Sequence, residues 1–210
     1  MGPPAAVIFD IGGVLIDGDP RYLYRTLLAS EEDVERFLAE VTTPEWNAAQ
    51  DAGRSWDEAV STLTAQFPQH AELIAAYHHR WFDMIGGPID GTVDVLRELG
   101  DAGIPRYALT NWSAEKFPVV REHFDFLGWF DGVVISGAEG ILKPDPRLYR
   151  ILIDRYAVDP GSTVYVDDVV ANVEAAARLG MTAIQFTDPE QLRLDLYELG
   201  LPVHIQELTA

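Results

Sequence analysis

The sequence predicts an α/β protein in which a parallel sheet carries helices on both faces and a helical cap is inserted after the first strand. Three observations carry this expectation. Short apolar, β-branched runs alternate with helical patterns along most of the 210 residues, as in strand–crossover–strand units. The connection between residues 10 and 105 is far longer than a crossover requires, and from Pro20 to about Ile85 it is helical in pattern. A composition of 48% hydrophobic and 23% charged residues gives enough apolar material for a sizeable core.

The first strand is read over residues 5–9, a continuous apolar run suited to a strand covered on both faces, and it ends at Asp10. Gly12, Gly13 and Gly18 flank the exit towards the cap. Inside the cap, Asp19 before Pro20, Ser30 with Asp33, and Ser55 with Glu58 are helix-start signals, the last with capping-box spacing. Gly86, Gly87 and Pro88 mark the return hinge. The chain therefore divides into a core of residues 1–17 and 88–210 and a cap of residues 18–87. A second strand, residues 106–109, ends at Thr110 and Asn111, and a third covers residues 133–136. Asp145 with Pro146 at the first helical position opens the following helix. The fourth strand, residues 163–166, runs into Asp167 and Asp168. After the fifth, residues 182–186, the pair Asp188 and Pro189 repeats the device ahead of Leu192, Leu196 and Leu199, and Gly200 ends that helix.

Composition narrows the function. Thirty-four acidic against fifteen basic residues give a net charge of −19, which repels phosphodiester backbones and anionic headgroups, so neither nucleic acid nor membrane is expected as a partner. The absence of cysteine excludes disulfides, thiolate zinc sites and cysteine nucleophiles. The first residues lack a signal peptide's basic and apolar regions, and no apolar run reaches the ~18 residues of a membrane span, so a cytoplasmic location is expected.

In open parallel sheets, ligands bind beyond the carboxyl ends of the strands, where the strand order reverses. Those ends carry Asp10, then Thr110 and Asn111, then Asp167 and Asp168, with Lys143 just ahead of the Asp145-capped helix. Singly, an Asp or a Thr-Asn pair after a strand is more often a turn or a helix cap. Two adjacent carboxylates closing a buried strand repel each other unless a cation or a base compensates them. Lys143 offers that compensation internally, which leaves a metal-free ion-pair cluster as the alternative to a metal site.

Taken in order, Phe9-Asp10-Ile11-Gly12-Gly13-Val14-Leu15, Leu109-Thr110-Asn111, Lys143-Pro144-Asp145-Pro146, and Val166-Asp167-Asp168 followed by Asn172 resemble the four motifs of the haloacid dehalogenase-like hydrolase superfamily. The resemblance spans residues 5–187, with the helical insertion at the family's first cap position. It implies a Rossmann-like sheet of strand order 3-2-1-4-5. It further implies a Mg²⁺-dependent phosphatase of a small, sugar-phosphate-like ester, with Asp10 as nucleophile forming an aspartyl phosphate. A carboxylate attacking a phosphate dianion needs a cation between them, and Asp10, the Gly12 carbonyl and Asp168 would hold Mg²⁺, with Asp167 holding a metal-bound water. Thr110, the Asn111 backbone N–H and Lys143 would bind the phosphoryl oxygens.

One position departs from the family's phosphatases, which usually carry a second Asp two residues after the nucleophile as general acid and base. Here it is Gly12, as in a subgroup of the superfamily that includes phosphatases of small sugar phosphates. The superfamily's 2-haloacid dehalogenases also lack that Asp and attack carbon without metal. In such a scheme Tyr149 and Arg21 or Arg25 would bind halide or carboxylate, but those enzymes resemble one another in having Ser where this chain has its Asp167-Asp168 pair. A non-catalytic ligand-binding protein on the same fold is the third reading. For substrate contacts the candidates are Trp46, Asn47, Asp51, Arg54 and Trp112, with core packing the blander account of Trp46 and Trp56. His78, His79 and Arg80 are read as surface, since adjacent helix residues point different ways.

Overall fold

A computed structural model describes residues 2–205. Among the described residues there are seven strands: β1 (Ala6–Phe9), β2 (Ile16–Gly18), β3 (Ile85–Pro88), β4 (Arg106–Thr110), β5 (Gly132–Ile135), β6 (Thr163–Asp167) and β7 (Thr182–Gln185). Five of them form one parallel sheet in the order β5-β4-β1-β6-β7. Numbered within the sheet alone this is 3-2-1-4-5, the order the resemblance implies. β1 lies at the centre, with Phe9 opposite Ala108 on one side and Val166 on the other. The order reverses between β1 and β6, so the ends of these two strands flank the crevice where an open sheet binds its ligands.

Both central strands are fully buried, and their alternating side chains feed two cores. On one face Val7 and Phe9 pack with Val95, Leu96 and Leu99 of α6 (Asp90–Asp101) and with Leu192 and Leu196 of α11 (Pro189–Glu198). On the other, Ile8, Leu109 and Tyr165 pack with Leu148, Tyr149 and Leu152 of α9 (Pro146–Tyr156) and with Ala175 and Ala176 of α10 (Val170–Arg178). Two shorter helices, α7 (Phe117–His123) and α8 (Ser136–Glu139), follow β4 and β5. Ser136, read from sequence as the end of a strand, opens α8 instead.

The inserted region holds α1 (Pro20–Tyr24), α2 (Glu31–Glu40), α3 (Pro44–Asp51), α4 (Trp56–Gln66) and α5 (Ala71–His79) around its own apolar cluster, with Tyr24, Phe37, Trp56, Ile74 and Tyr77 at its centre. Every helix start read from sequence is a side-chain cap here: Asp19, Ser30, Ser55, Asp145 and Asp188 each accept a backbone N–H from the first turn. Thr43 before Pro44 caps α3 in the same way.

The expected Gly86–Pro88 hinge is a strand. β3 pairs antiparallel with β2, Asp17 opposite Gly87, so both crossings between core and insertion run in one two-stranded ribbon with a bulge between Asp17 and Gly18. Three- and four-residue strands rich in glycine carry no alternation to read, and the two segments lie far apart in sequence. Hydrogen bonds then dock the insertion onto the core: the Trp56 indole donates to Ser113 Oγ (2.9 Å), Ser136 Oγ to the Asp51 carbonyl (2.6 Å), and Lys116 Nζ to the His78 carbonyl (2.9 Å). Among the described residues, no helix is long and apolar enough to cross a membrane.

Candidate active site

The sheet delivers Asp10 from the end of β1 and Asp167 and Asp168 from the end of the neighbouring β6. The three carboxylates each offer an oxygen within 4.8 Å of the others. Asp10 and Asp167 are buried, and Lys143 Nζ stands between them, 2.9 Å from Asp10 Oδ2 and 2.7 Å from Asp167 Oδ2. Its third bond goes to the Leu109 carbonyl at 2.9 Å, so all three ammonium protons are engaged. Asn111, the residue after β4, fixes the lysine: its amide nitrogen donates to the Lys143 carbonyl (3.1 Å) and its oxygen accepts the Lys143 N–H (2.8 Å). The sequence reading assigned Asn111 only a backbone role. Its side chain is the brace that aims Lys143.

Asp167 is saturated. Besides Lys143 it accepts from the Tyr165 hydroxyl (2.6 Å), the Asn172 amide (3.0 Å) and the Val169 N–H (2.9 Å). Tyr165 was not singled out in the sequence; the signal available was a tyrosine two residues before Asp167 on the same strand, and so on the same face. Asp10 accepts the Ile11 N–H at 2.7 Å. Burial pushes the Asp10 carboxyl up to about 6, with Lys143 pulling it down and Asp167 pushing it further up. Asp168 is raised too, by partial desolvation and then by Asp167. Thr110 is buried at the end of β4, and its hydroxyl has no partner among the described residues.

This donor set fits a hard divalent cation. Three carboxylates face one ammonium, every candidate ligand is oxygen, and oxygen-only sets suit Mg²⁺. The backbone makes room for the third carboxylate: Gly13 has φ of 74°, and a Cβ there would lie 2.5 Å from Asp168 Oδ2.

Beside this cluster, at Gly12 and Asn111, a cavity of about 180 Å³ opens between core and insertion, walled by Gly12, Asn111, Trp112 and Ser113 from the core and by Asn47, Asp51, Tyr77 and Trp81 among the residues of the insertion. Through Pro20, Asn47, Asp51 and Tyr77 it adjoins a second cavity of about 510 Å³ within the insertion. Asn47, Asp51 and Trp112, read from sequence as candidate substrate contacts, line the cavity between core and insertion. Trp46 and Arg54 line neither cavity. Trp46 packs edge-on against Trp56 and Tyr77, with centroids 5.8 and 5.1 Å away. Arg54 bonds the Gln50 side chain (2.7 Å) and the Trp46 carbonyl (2.9 Å). Tyr77 and Trp81 lay outside the sequence reading, and no spacing marks them. His78, read as surface, is partly buried and stacks on Trp56 at 5.4 Å.

The sequence profile of the haloacid dehalogenase-like hydrolases matches residues 4–180. A sesquiterpene phosphatase of Aspergillus oryzae, astK, is 28% identical over 195 residues, spanning 92% of this chain and 95% of that protein. Acyl-CoA dehydrogenase family member 10 of Mus musculus is 27% identical over 95% of this chain, which corresponds to only 20% of that much longer protein. Among solved structures, a HAD family enzyme of Bacteroides thetaiotaomicron in complex with magnesium and inorganic phosphate superposes with a TM-score of 0.68 at 19% identity, covering 88% of this chain and 95% of the other.

Proposed function

This chain belongs to the haloacid dehalogenase-like hydrolase family, and we propose that within it the protein is a Mg²⁺-dependent phosphatase of a small phosphorylated metabolite, sugar phosphates included. The observation that carries this reading is the charge imbalance at the switch point, where three carboxylates stand together with a single ammonium, bonded to Asp10 and Asp167 and not to Asp168, beside a Thr110 hydroxyl without a partner among the described residues. The similarity to a sesquiterpene phosphatase along almost the whole chain supports it as well.

Asp10 is the nucleophile. Lys143 and the Ile11 N–H hold its carboxylate at the mouth of the crevice, and attack on phosphorus gives an aspartyl phosphate that water then cleaves. Thr110, with its free hydroxyl proton, and the Asn111 backbone N–H bind the phosphoryl oxygens. Asp168, Asp10 and the Gly12 carbonyl would hold Mg²⁺. The bound cation supplies positive charge against which a carboxylate and a phosphate dianion can approach. Asp167, engaged by four donor groups, fixes Lys143, and its carboxylate would hold a metal-bound water.

The dehalogenase reading loses its anion binders. Arg21 is paired with Asp19 and Glu35, Arg25 with Glu31, and the buried Tyr149 hydroxyl donates to the Asn172 carbonyl at 3.0 Å. The decisive experiment measures hydrolysis of p-nitrophenyl phosphate with Mg²⁺ and with excess EDTA, beside halide release from 2-chloropropionate. Mg²⁺-dependent phosphate release, abolished by Asp10→Asn, is expected. Halide release without metal would replace the phosphatase with a dehalogenase, and Mg²⁺ binding without turnover of any ester would leave a binding protein.

A further inference from the structure

A phosphate ester of an ordinary alcohol leaves as an alkoxide that needs a proton as its bond to phosphorus breaks. Within the carboxylate cluster no group is free to give one. Asp10 attacks, Asp168 is taken by the cation, Asp167 accepts from four donor groups, Lys143 has all three protons committed, and position 12 has no side chain. Two carboxyl groups wall the cavity above, Asp19 and Asp51. Asp19 caps α1 through the Arg21 N–H and pairs with the Arg21 guanidinium, which keeps it an acceptor.

Asp51 differs on each count. It ends α3 at the boundary between the two cavities, its carboxylate accepts only a neutral amide from Asn47 (3.1 Å) among side chains, and no cation pairs with it among the described residues. Its backbone is tied to the catalytic floor: Ser136 Oγ donates to the Asp51 carbonyl at 2.6 Å and accepts the Trp112 N–H at 2.9 Å, one residue beyond Asn111. We propose that Asp51 is the general acid and base of this enzyme, brought by the helical insertion to the leaving-group side of the crevice in place of a carboxyl that the Asp10 loop lacks.

As the Asp10 oxygen bonds to phosphorus and the ester P–O bond breaks, the Asp51 carboxyl gives its proton to the departing oxygen and the alcohol leaves neutral. In the second step the Asp51 carboxylate takes a proton from water as that water's oxygen attacks phosphorus, freeing Asp10 and phosphate and restoring the acid. Burial raises the Asp51 carboxyl to about 7, the Ser113 N–H offsetting part of the rise, so both protonation states are accessible near neutrality. The other charged or titratable groups facing the two cavities are Asp19, Arg21, Glu35 and Tyr77. Arg21 is paired with both carboxylates, and burial pushes the Tyr77 hydroxyl up, away from neutrality.

The proposal rests on the phosphatase reading, and one substrate series separates the two. kcat/KM is measured with Mg²⁺ for aryl and alkyl phosphates of rising leaving-group pKa, on the wild type, Asp51→Asn and Asp51→Glu. The wild type should depend weakly on the leaving group. Asp51→Asn, which keeps shape and the Asn47 contact, should lose little on p-nitrophenyl phosphate and about 10²- to 10⁴-fold on alkyl phosphates. The limb of the wild-type alkyl-phosphate profile that falls as pH rises through about 7 should vanish in that variant, and Asp51→Glu should recover part of the alkyl rate. Equal losses on both substrate types, or none, would overturn the role of Asp51 and leave the phosphatase standing. A wild type inactive on every phosphate would overturn both.

Discussion

Replacing Lys143 by Met tests the electrostatic core of the site without reference to turnover. Lys143 is 4% exposed, and its ammonium is the sole cation bonded to Asp10 and Asp167 among the described residues. Met fills most of the stem's volume, so the loss isolates the charge and its three hydrogen bonds. Removing one partner of a buried ion pair typically costs about 3–5 kcal/mol because the other charge is left uncompensated. Asp167 retains the Tyr165, Asn172 and Val169 donors, so the lower end, about 3 kcal/mol, is expected. For a chain of this size that corresponds to a fall in Tm of roughly 6–12 °C. Urea unfolding in EDTA should show a lower midpoint with an unchanged slope. Adding Asp167→Asn should cost less than the sum of the two single losses, because the double variant no longer buries an unpaired carboxylate beside Asp10. A loss below about 1 kcal/mol, the range of exposed pairs, would refute the buried bridge.

Three further outcomes are expected. Gly13→Ala forces a Cβ towards Asp168 Oδ2 at a backbone φ of 74°, so calorimetric Mg²⁺ binding should weaken about tenfold or more while the fold survives; unchanged affinity would remove Asp168 from the metal site. Trp56→Phe deletes the 2.9 Å bond to Ser113 and part of a fully buried indole; it should cost about 2 kcal/mol and speed hydrogen exchange along the contact between insertion and core, and unaltered exchange there would refute a docking role. For Asp51→Asn the sign follows from a folded-state pKa raised from 3.8 to about 7: such a carboxyl favours the folded state only while protonated, so it weakens stability progressively as pH rises from about 4 to about 7. The variant should therefore gain stability over the wild type at pH 8 and not at pH 4, by about 2 kcal/mol once partial exposure is allowed for; equal stability at both pH values would mean Asp51 is ionised without penalty.

The parts of this molecule that sequence made legible are those whose signal is local. An apolar run such as residues 5–9 announces a buried strand within a few residues, and a cap such as Asp145 with Pro146 or Asp188 with Pro189 lies within one turn of the helix it starts. Asp10, Lys143 and Asp167 became a candidate site because parallel strands bring their carboxyl ends to one edge whatever the loops do. The β2–β3 ribbon escaped notice because its two strands are short, glycine-containing and joined only through the whole insertion. Asn111 was legible for its backbone N–H alone: a strand-end amide reads as a cap or a turn, and only the position of Lys143 across the crevice gives its side chain a second role as a brace.

The same distinction explains why position 51 is legible in one dimension as a candidate substrate contact and not as an acid. An acid placed two residues after the nucleophile would be visible as a motif, since spacing alone would put both carboxyls in one loop. An acid on α3 reaches the crevice only through the packing of the insertion onto the core, by way of Ser136 and Trp112, neither of which is near it in sequence. Nothing in the residues around it, Ala-Gln-Asp-Ala-Gly, distinguishes Asp51 from an exposed helix end. Its burial and its lack of a cation are tertiary properties, and they also separate it from Asp19, which faces the same cavity but belongs to Arg21. Supplying the acid from the insertion would couple proton transfer to docking: a substrate that holds the insertion against the core would complete the acid-base machinery, whereas water in an open crevice would meet Asp10 without it.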